Sequence, residues 1–467
     1  MMKYILIPIF LLTLLASCES NLEEEPFSFI TNENFFNTEE DAISGVNAVY
    51  ANLREDEYYG DTYVTLSELG ADIIEYRDDG DAEFIGFDKN QFGSAFSPLN
   101  DFWTAAYSTI NRANTVIVNT TLDSDIGDRV IAEAKFLRAL TYFNLVRAFG
   151  DVPLVLTPPE GIDNLAIPRV ESSQIYDQII GDLNEIIDDG GLPETYENSS
   201  DIGRATIGAA QALLAKIHLT LGNYQEARNL AQQIISSGNY QLFETYTDVF
   251  DLANENGTEH IFSIQYSCVE PQFASGYAQS FAVDFLYPGF GGLMVNEDFV
   301  ASFNDNDVRS ELIYTEKITA SGDTLLVKQK PRHDKFLDLS PCGNSAANNN
   351  WIVYRLADIL LIFAEAENEL SGPNSAVYDA VNQIRERAGI DPLAPGLSTE
   401  AFKEAILQER AWELYSEGHR RWDLLRTGRY IQQMESTGIP TESKYVLFPI
   451  PLPELDANRE LTQNDGY

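Results

Sequence analysis

Basic residues are scarce: 30 Lys and Arg stand against 73 Asp and Glu, a formal net charge of −43. Binding nucleic acid needs a basic face that releases phosphate counterions, so nucleic acid is a poor partner for this chain. The same field repels anionic polysaccharides unless basic groups gather locally, which favours a neutral ligand. Cysteine is scarcer still. Cys18, Cys268 and Cys342 include no CxxC pair, and that spacing excludes a zinc ribbon or a thioredoxin-type site. The four histidines (His218, His260, His333 and His419) are scattered and read as structural. There is no G-x-S-x-G elbow, no H-E-x-x-H and no Walker loop, and the glycines around Phe290 lack the strand–helix setting of a dinucleotide site. Carboxylates are so abundant that any pair proposed for glycoside hydrolysis is uninformative. Asp78-Asp79-Gly80-Asp81 and Asp305-Asn306-Asp307 begin like calcium loops, but neither continues to a bidentate glutamate at the twelfth position. Both read as solvated turns. No catalytic residue, cofactor or metal is expected.

Long apolar runs are missing beyond the first twenty residues. The run from Tyr4 to Ala16 is too short for a spanning helix of about 20 residues. With Lys3 before it and small residues after it, it fits a secretory signal peptide over residues 1–17. The cysteine after Leu15-Ala16-Ser17 looks like a bacterial lipobox, so the mature chain is expected to begin at lipidated Cys18, the alternative being an ordinary secretory signal with a chance cysteine. Two or three acyl chains, at about 0.8 kcal/mol per buried methylene, hold a soluble domain at a membrane without a span. Residues 1–17 carry only Lys3, so the mature charge is −44. Glu19 and Glu23-Glu24-Glu25-Pro26 read as a solvated tether. Cys268 and Cys342 then either pair in an oxidising compartment or stay reduced; spacing does not choose.

What the chain has is helical hairpins. Ile207 to Ile235 carries Ala210, Leu213, Leu214, Ile217 and Leu221 on one face, turns at Gly222-Asn223-Tyr224, and returns with Ala227, Leu230, Ala231 and Ile234. This is the pattern of a tetratricopeptide-like pair. Tyr354 to Ala388 repeats it around Ser371-Gly372-Pro373. Asp128–Phe149 with Ser172–Ile187 makes a third pair, and Thr38–Leu53 with Leu99–Asn119 a fourth. The predicted fold is therefore mainly α, with four stacked pairs as scaffold.

Two segments lack helical period: Asp56–Ser97, and Tyr240–Asn350, where Glu259–Tyr266 is strand-like and Leu312–Gln329 reads as a hairpin turning at Ser321-Gly322-Asp323. Loops this long are functional or disordered, and their aromatic content argues against disorder. Sugar rings stack a C–H face on aromatics while side chains at the rim bond the hydroxyls. Tyr58, Tyr59, Tyr63, Tyr76, Arg77, Asp78, Tyr277, Tyr287, Phe290 and Asn296 are accordingly the candidate glycan-binding residues. Trp103, Trp412 and Trp422 lie on helical stripes and Trp351 at the entry to a repeat, all four read as structural.

The last stretch runs from Phe402 to Arg429, a helix predicted to end at Gly418 followed by His419, Arg420, Arg421, Trp422, Asp423 and Arg426. Such a cluster is either an anion or catalytic site or an interior ionic network, and the Trp422, Leu424 and Leu425 threaded through it favour burial. This stretch resembles the C-terminal signature of the SusD/RagB family, surface glycan-binding lipoproteins of Gram-negative bacteria. Tyr354-Arg355-Leu356-Ala357-Asp358, Phe448-Pro449-Ile450-Pro451 with Glu454, and the terminal Gln463-Asn464-Asp465-Gly466-Tyr467 agree with it, as do Phe35-Phe36, Ala42–Tyr50, Trp103, Tyr107, Ile110 and Asn114. The resemblance implies a SusD-like fold: an acidic tether and N-terminal segment over 18–37, a helical-repeat region over 38–239, a loop-rich glycan-binding insertion over 240–350, and a C-terminal region with a helix pair and the signature over 351–467. It implies outer-membrane anchoring facing the exterior, the acidic residues after Cys18 resembling a surface-export signal, and capture of an oligosaccharide without chemistry for a SusC-like TonB-dependent transporter. Arg355, Asp358, Arg420, Arg421, Trp422 and Asp423 are its structural signature. A surface glycoside hydrolase or lyase, or a peptide-binding transporter partner, are the alternatives.

Overall fold

The computed structural model describes residues 35–159, 161, 166–269, 274–281, 291–318, 324–326, 330–343 and 346–467. Among these are α1 (Glu39–Leu53), α2 (Thr62–Leu69), α3 (Ala82–Asp88), α4 (Ser97–Asn119), α5 (Asp125–Phe149), α6 (Ser172–Asp189), α7 (Ile207–Leu221) and α8 (Tyr224–Ser237). They continue with α9 (Glu297–Ala301), α10 (Leu356–Ser371), α11 (Ser375–Arg387), α12 (Thr399–Glu413), α13 (Arg420–Arg426), α14 (Tyr430–Ser436) and α15 (Leu452–Ala457). Four pairs stack in chain order: α1 with α4, α5 with α6, α7 with α8 and α10 with α11, each pair packing on the next through α4–α5, α6–α7 and α8–α10. Local chemistry sets their ends. Thr38 and Asp41 form a capping box on α1, Ser124, Thr206 and Asn374 cap α5, α7 and α11, and Gly222 closes α7 with φ +73°.

Strands are short and come in antiparallel twos: β1 (Ile74–Tyr76) with β3 (Leu293–Val295), β2 (His260–Ile264) with β8 (Trp351–Arg355), β4 (Ile313–Tyr314) with β7 (Arg332–His333), and β5 (Glu316–Ile318) with β6 (Thr324–Leu326). β5 and β6 form the predicted hairpin, whose turn lies outside the described residues. The β2–β8 pair joins the irregular half to the scaffold, because β8 runs directly into α10. One hydrophobic core extends from Phe36 to Leu461 across both halves. Cys268 and Cys342 form a disulfide with Cα atoms 5.6 Å apart, closing a span of 74 residues.

Three local expectations change. Asp56–Ser97 holds two helices, and α2 escaped detection because Tyr63 to Leu69 are all buried, leaving no amphipathic period to read. Helix α12 ends at Glu413 rather than Gly418, although Gly418 does take φ +77° in the turn that follows. Asp78 and Asp79 are exposed as expected, but Asp307 is buried against Arg309 at 2.7 Å.

Candidate functional site

The arginine cluster is an interior network. Arg355 Nε donates to Glu417 (2.7 Å), and its Nη1 donates to Glu259 (2.7 Å) and to Glu413 (2.6 Å). Arg309 reaches Asp307, Glu409 and Glu413, and Lys335 donates to Glu417 at 2.7 Å. A second group joins Asp358 to Lys216 (3.0 Å) and Arg410 (2.7 Å), and Asp423 to Arg410 (2.7 Å) and Arg426 (2.9 Å). Arg420 makes a two-point bond to Asp72 at 2.7 and 2.8 Å. Arg421 donates to Tyr430 Oη and to the carbonyls of Gly70 and Tyr445, and Trp422 is buried beside Arg147 and Tyr63. These cations hold Glu413, Asp358 and Asp423 well below the usual carboxylate range against the opposing effect of burial. Burial and neighbouring Lys216 draw His419 down to about 3, so it is neutral. The charged groups of this network are each bonded to another group of the protein.

Most of the candidate tyrosines also lie inside. Tyr58, Tyr59, Tyr63 and Tyr277 are 0, 2, 5 and 1% exposed. Asn144 of α5 explains the first three. Its amide nitrogen donates to Tyr58 Oη (2.9 Å) and Tyr59 Oη (2.7 Å), and its carbonyl oxygen accepts from Tyr63 Oη (2.8 Å). With their hydroxyls satisfied, the rings pack on one another and on Phe102. Tyr277 stands edge-on to Trp351 at 4.9 Å. A ring enclosed this way has no face for a sugar, so these four leave the candidate set. Asn296 caps α9 through its carbonyl oxygen and donates to Glu75 at 3.1 Å, which is a structural role. Tyr287, Phe290 and Cys18 lie outside the described residues.

Tyr76, Arg77 and Asp78 come together at the surface. Tyr76 ends β1 opposite Leu293, and the Arg77 N–H donates to the Gly292 carbonyl, anchoring the loop to β3. The Tyr76 ring is stacked with Phe84 of α3 at 5.3 Å and 28°. Gly80 and Gly292 close on its edges: a Cβ at Gly80 would lie 2.4 Å from a ring carbon and one at Gly292 3.0 Å, so a side chain at Gly80 would displace the ring. Tyr76 and Arg77 are half-buried, Asp78 and Asp79 exposed, and Arg77 Nε lies 3.6 Å from Asp79. Behind the loop, Glu75 pairs with Lys330, and Arg332 donates to the Gly291 carbonyl at 2.9 Å. The arrangement is an aromatic pair with a mixed-charge rim. Sequence reasoning missed Phe84 as the ring's partner, although its place eight residues after Tyr76 was visible.

Among the described residues no group of His, Cys, Asp and Glu is placed to hold a metal ion, and no helix is long and apolar enough to cross a membrane.

Comparison with known proteins assigns the fold and its class. The SusD family model matches residues 304–467, and a model described as starch-binding associating with outer membrane matches residues 22–219. A SusD-like protein of Formosa agariphila is 30% identical over 99% of this chain and 98% of its own. The chain belongs to the SusD-like family. A SusD homolog from Bacteroides thetaiotaomicron superimposes with TM-score 0.84 at 27% identity, covering 93% of this chain and 98% of that one. A laminarin binding SusD-like protein superimposes with TM-score 0.80 at 26% identity, covering 92% and 99%.

Proposed function

We propose that this protein is a cell-surface lipoprotein that captures a neutral oligosaccharide and delivers it, unaltered, to a SusC-like TonB-dependent transporter. The observation that carries the reading is the Tyr76–Phe84 pair on a surface loop, rimmed by Arg77, Asp78 and Asp79 and built into a SusD-like fold. An aromatic face takes the C–H side of a sugar, and the flanking guanidinium and carboxylates bond its hydroxyls. The laminarin binding relative supports a glucan as the class of ligand. The lipid anchor at Cys18 and the transporter partnership rest on the lipobox and on family resemblance. The ionic groups of the signature network are paired with one another, which supports a structural over a catalytic role for them.

Isothermal titration against neutral glycans, acidic glycans and a peptide mixture tests the reading. Saturable heat with a neutral oligosaccharide, and no shortened products on chromatography afterwards, is expected. Heat on the peptide mixture alone would overturn the glycan assignment, and released sugars would make the protein an enzyme.

A further inference from the structure

A cleft of about 350 Å³ opens where the N-terminus of α7 meets β2 and the loop before α7, and it shares no residue with the Tyr76 loop. Its volume lies in the range of small-molecule sites. Two half-buried tyrosines line it. Tyr196 Oη donates to the Ala205 carbonyl at 3.0 Å, and Tyr240 Oη shares a 3.3 Å contact with Thr206 Oγ1, so both rings are held in place. Tyr240 also rests on Gly208 in the first turn of α7, where a Cβ would come within 2.3 Å of its hydroxyl and 2.9 Å of its ring. Exposed Glu194, Asn239 and Thr258 add hydrogen-bonding groups along the lining.

The charge of the lining selects the ligand. Arg204 points its guanidinium into bonds with Glu133 (2.9 Å), Asp201 (2.9 Å) and Asn47 (2.6 Å). His260 is buried and bonded to the Val249 carbonyl, and burial lowers its pKa. Neither basic side chain is offered to an anion, while Glu194 stands exposed. Tyrosine rings beside amide, hydroxyl and carboxylate groups match a sugar ring, and the lack of a presented cation matches an uncharged one.

We propose that this cleft is a second saccharide subsite that takes a neutral oligosaccharide. The proposal rests on the reading of the protein as a glycan binder. Two subsites on one chain raise the hold on a polymer through effective concentration, without tighter binding at either.

Native mass spectrometry of the protein with laminarihexaose and maltohexaose tests it. Wild type is expected to take two molecules of the preferred sugar, and Tyr76→Ala and Tyr240→Ala one each, with at least a tenfold weaker second event. Should Tyr240→Ala unfold, Asn239→Trp fills the cleft from an exposed position and gives the same loss. A single bound sugar that Tyr76→Ala removes, and that Tyr240→Ala and Asn239→Trp leave intact, would overturn the second subsite while sparing the first. No bound sugar of either kind would overturn both readings.

Discussion

A buried tyrosine hydroxyl needs a partner, and Asn144 serves three of them while also accepting from Arg147 at 2.7 Å. Asn144→Ala strands these groups together. It is expected to destabilise the fold by about 2–4 kcal/mol in denaturant titration, with oligosaccharide affinity unchanged at the Tyr76 loop. Weakened sugar binding at full stability would return Tyr58, Tyr59 and Tyr63 to the site. Nothing near those tyrosines in the sequence announced their burial, because the partner that permits it lies more than 80 residues downstream in α5. Glu68 offers a second test. Burial pushes it up to about 7, against the bond it accepts from the Gly418 N–H and nearby Lys335. Its folded pKa exceeds its unfolded value near 4.3, so the folded state binds the extra proton and stability falls as pH rises from about 4.5 through 7. Glu68→Gln removes that loss. Relative to wild type, the variant is expected to gain about 1–3 kcal/mol between pH 5 and pH 8, read as a melting-temperature difference that widens with pH. A constant difference would show that Glu68 is ionised throughout.

At the scale of elements, legibility followed locality. The α7–α8 and α10–α11 hairpins could be read because apolar period, turn glycine and caps all lie within one short stretch. Helix α2 could not, being buried on every side, and neither could the partners of β1 and β2, which lie far along the chain. The Tyr76 loop was legible as aromatic and polar, but its stacking on Phe84 depends on how α3 folds back. The disulfide belongs to the same non-local class. Cys268–Cys342 ties the end of the β2 segment to the segment before β8. Limiting the unfolded chain with a loop of this length contributes up to about 4–5 kcal/mol. The double variant Cys268→Ser with Cys342→Ser is expected to lower the melting temperature by several degrees. An unchanged melting temperature would mean that the surrounding contacts, such as the Cys268 N–H to Asn348 bond at 2.9 Å, already hold this closure.

On the scale of the whole molecule, charge is partitioned. Arginine and lysine are few, yet Arg309, Arg355, Arg387, Arg410, Arg426, Lys216 and Lys335 are all spent on interior carboxylates. These pairs fasten α12, α13 and the turn between them to α10, to β8 and to the irregular half, so scaffold and loops share one frame. Deleting one member leaves a buried charge unpaired, which typically costs 3–5 kcal/mol. With so many cations held inside and a net charge of −43, what remains outside is strongly acidic, a surface poorly suited to nucleic acid. Because the family signature is a fastening, the most conspicuous motif in the sequence says little about a ligand.

The most direct measurement is a pair of calorimetric isotherms for a neutral hexasaccharide, wild type against Tyr76→Ala, each preceded by a melting curve. Affinity at the first site is expected to fall at least tenfold in the variant while both proteins melt together. Equal isotherms from two equally stable proteins would contradict the placement of sugar on the Tyr76 loop.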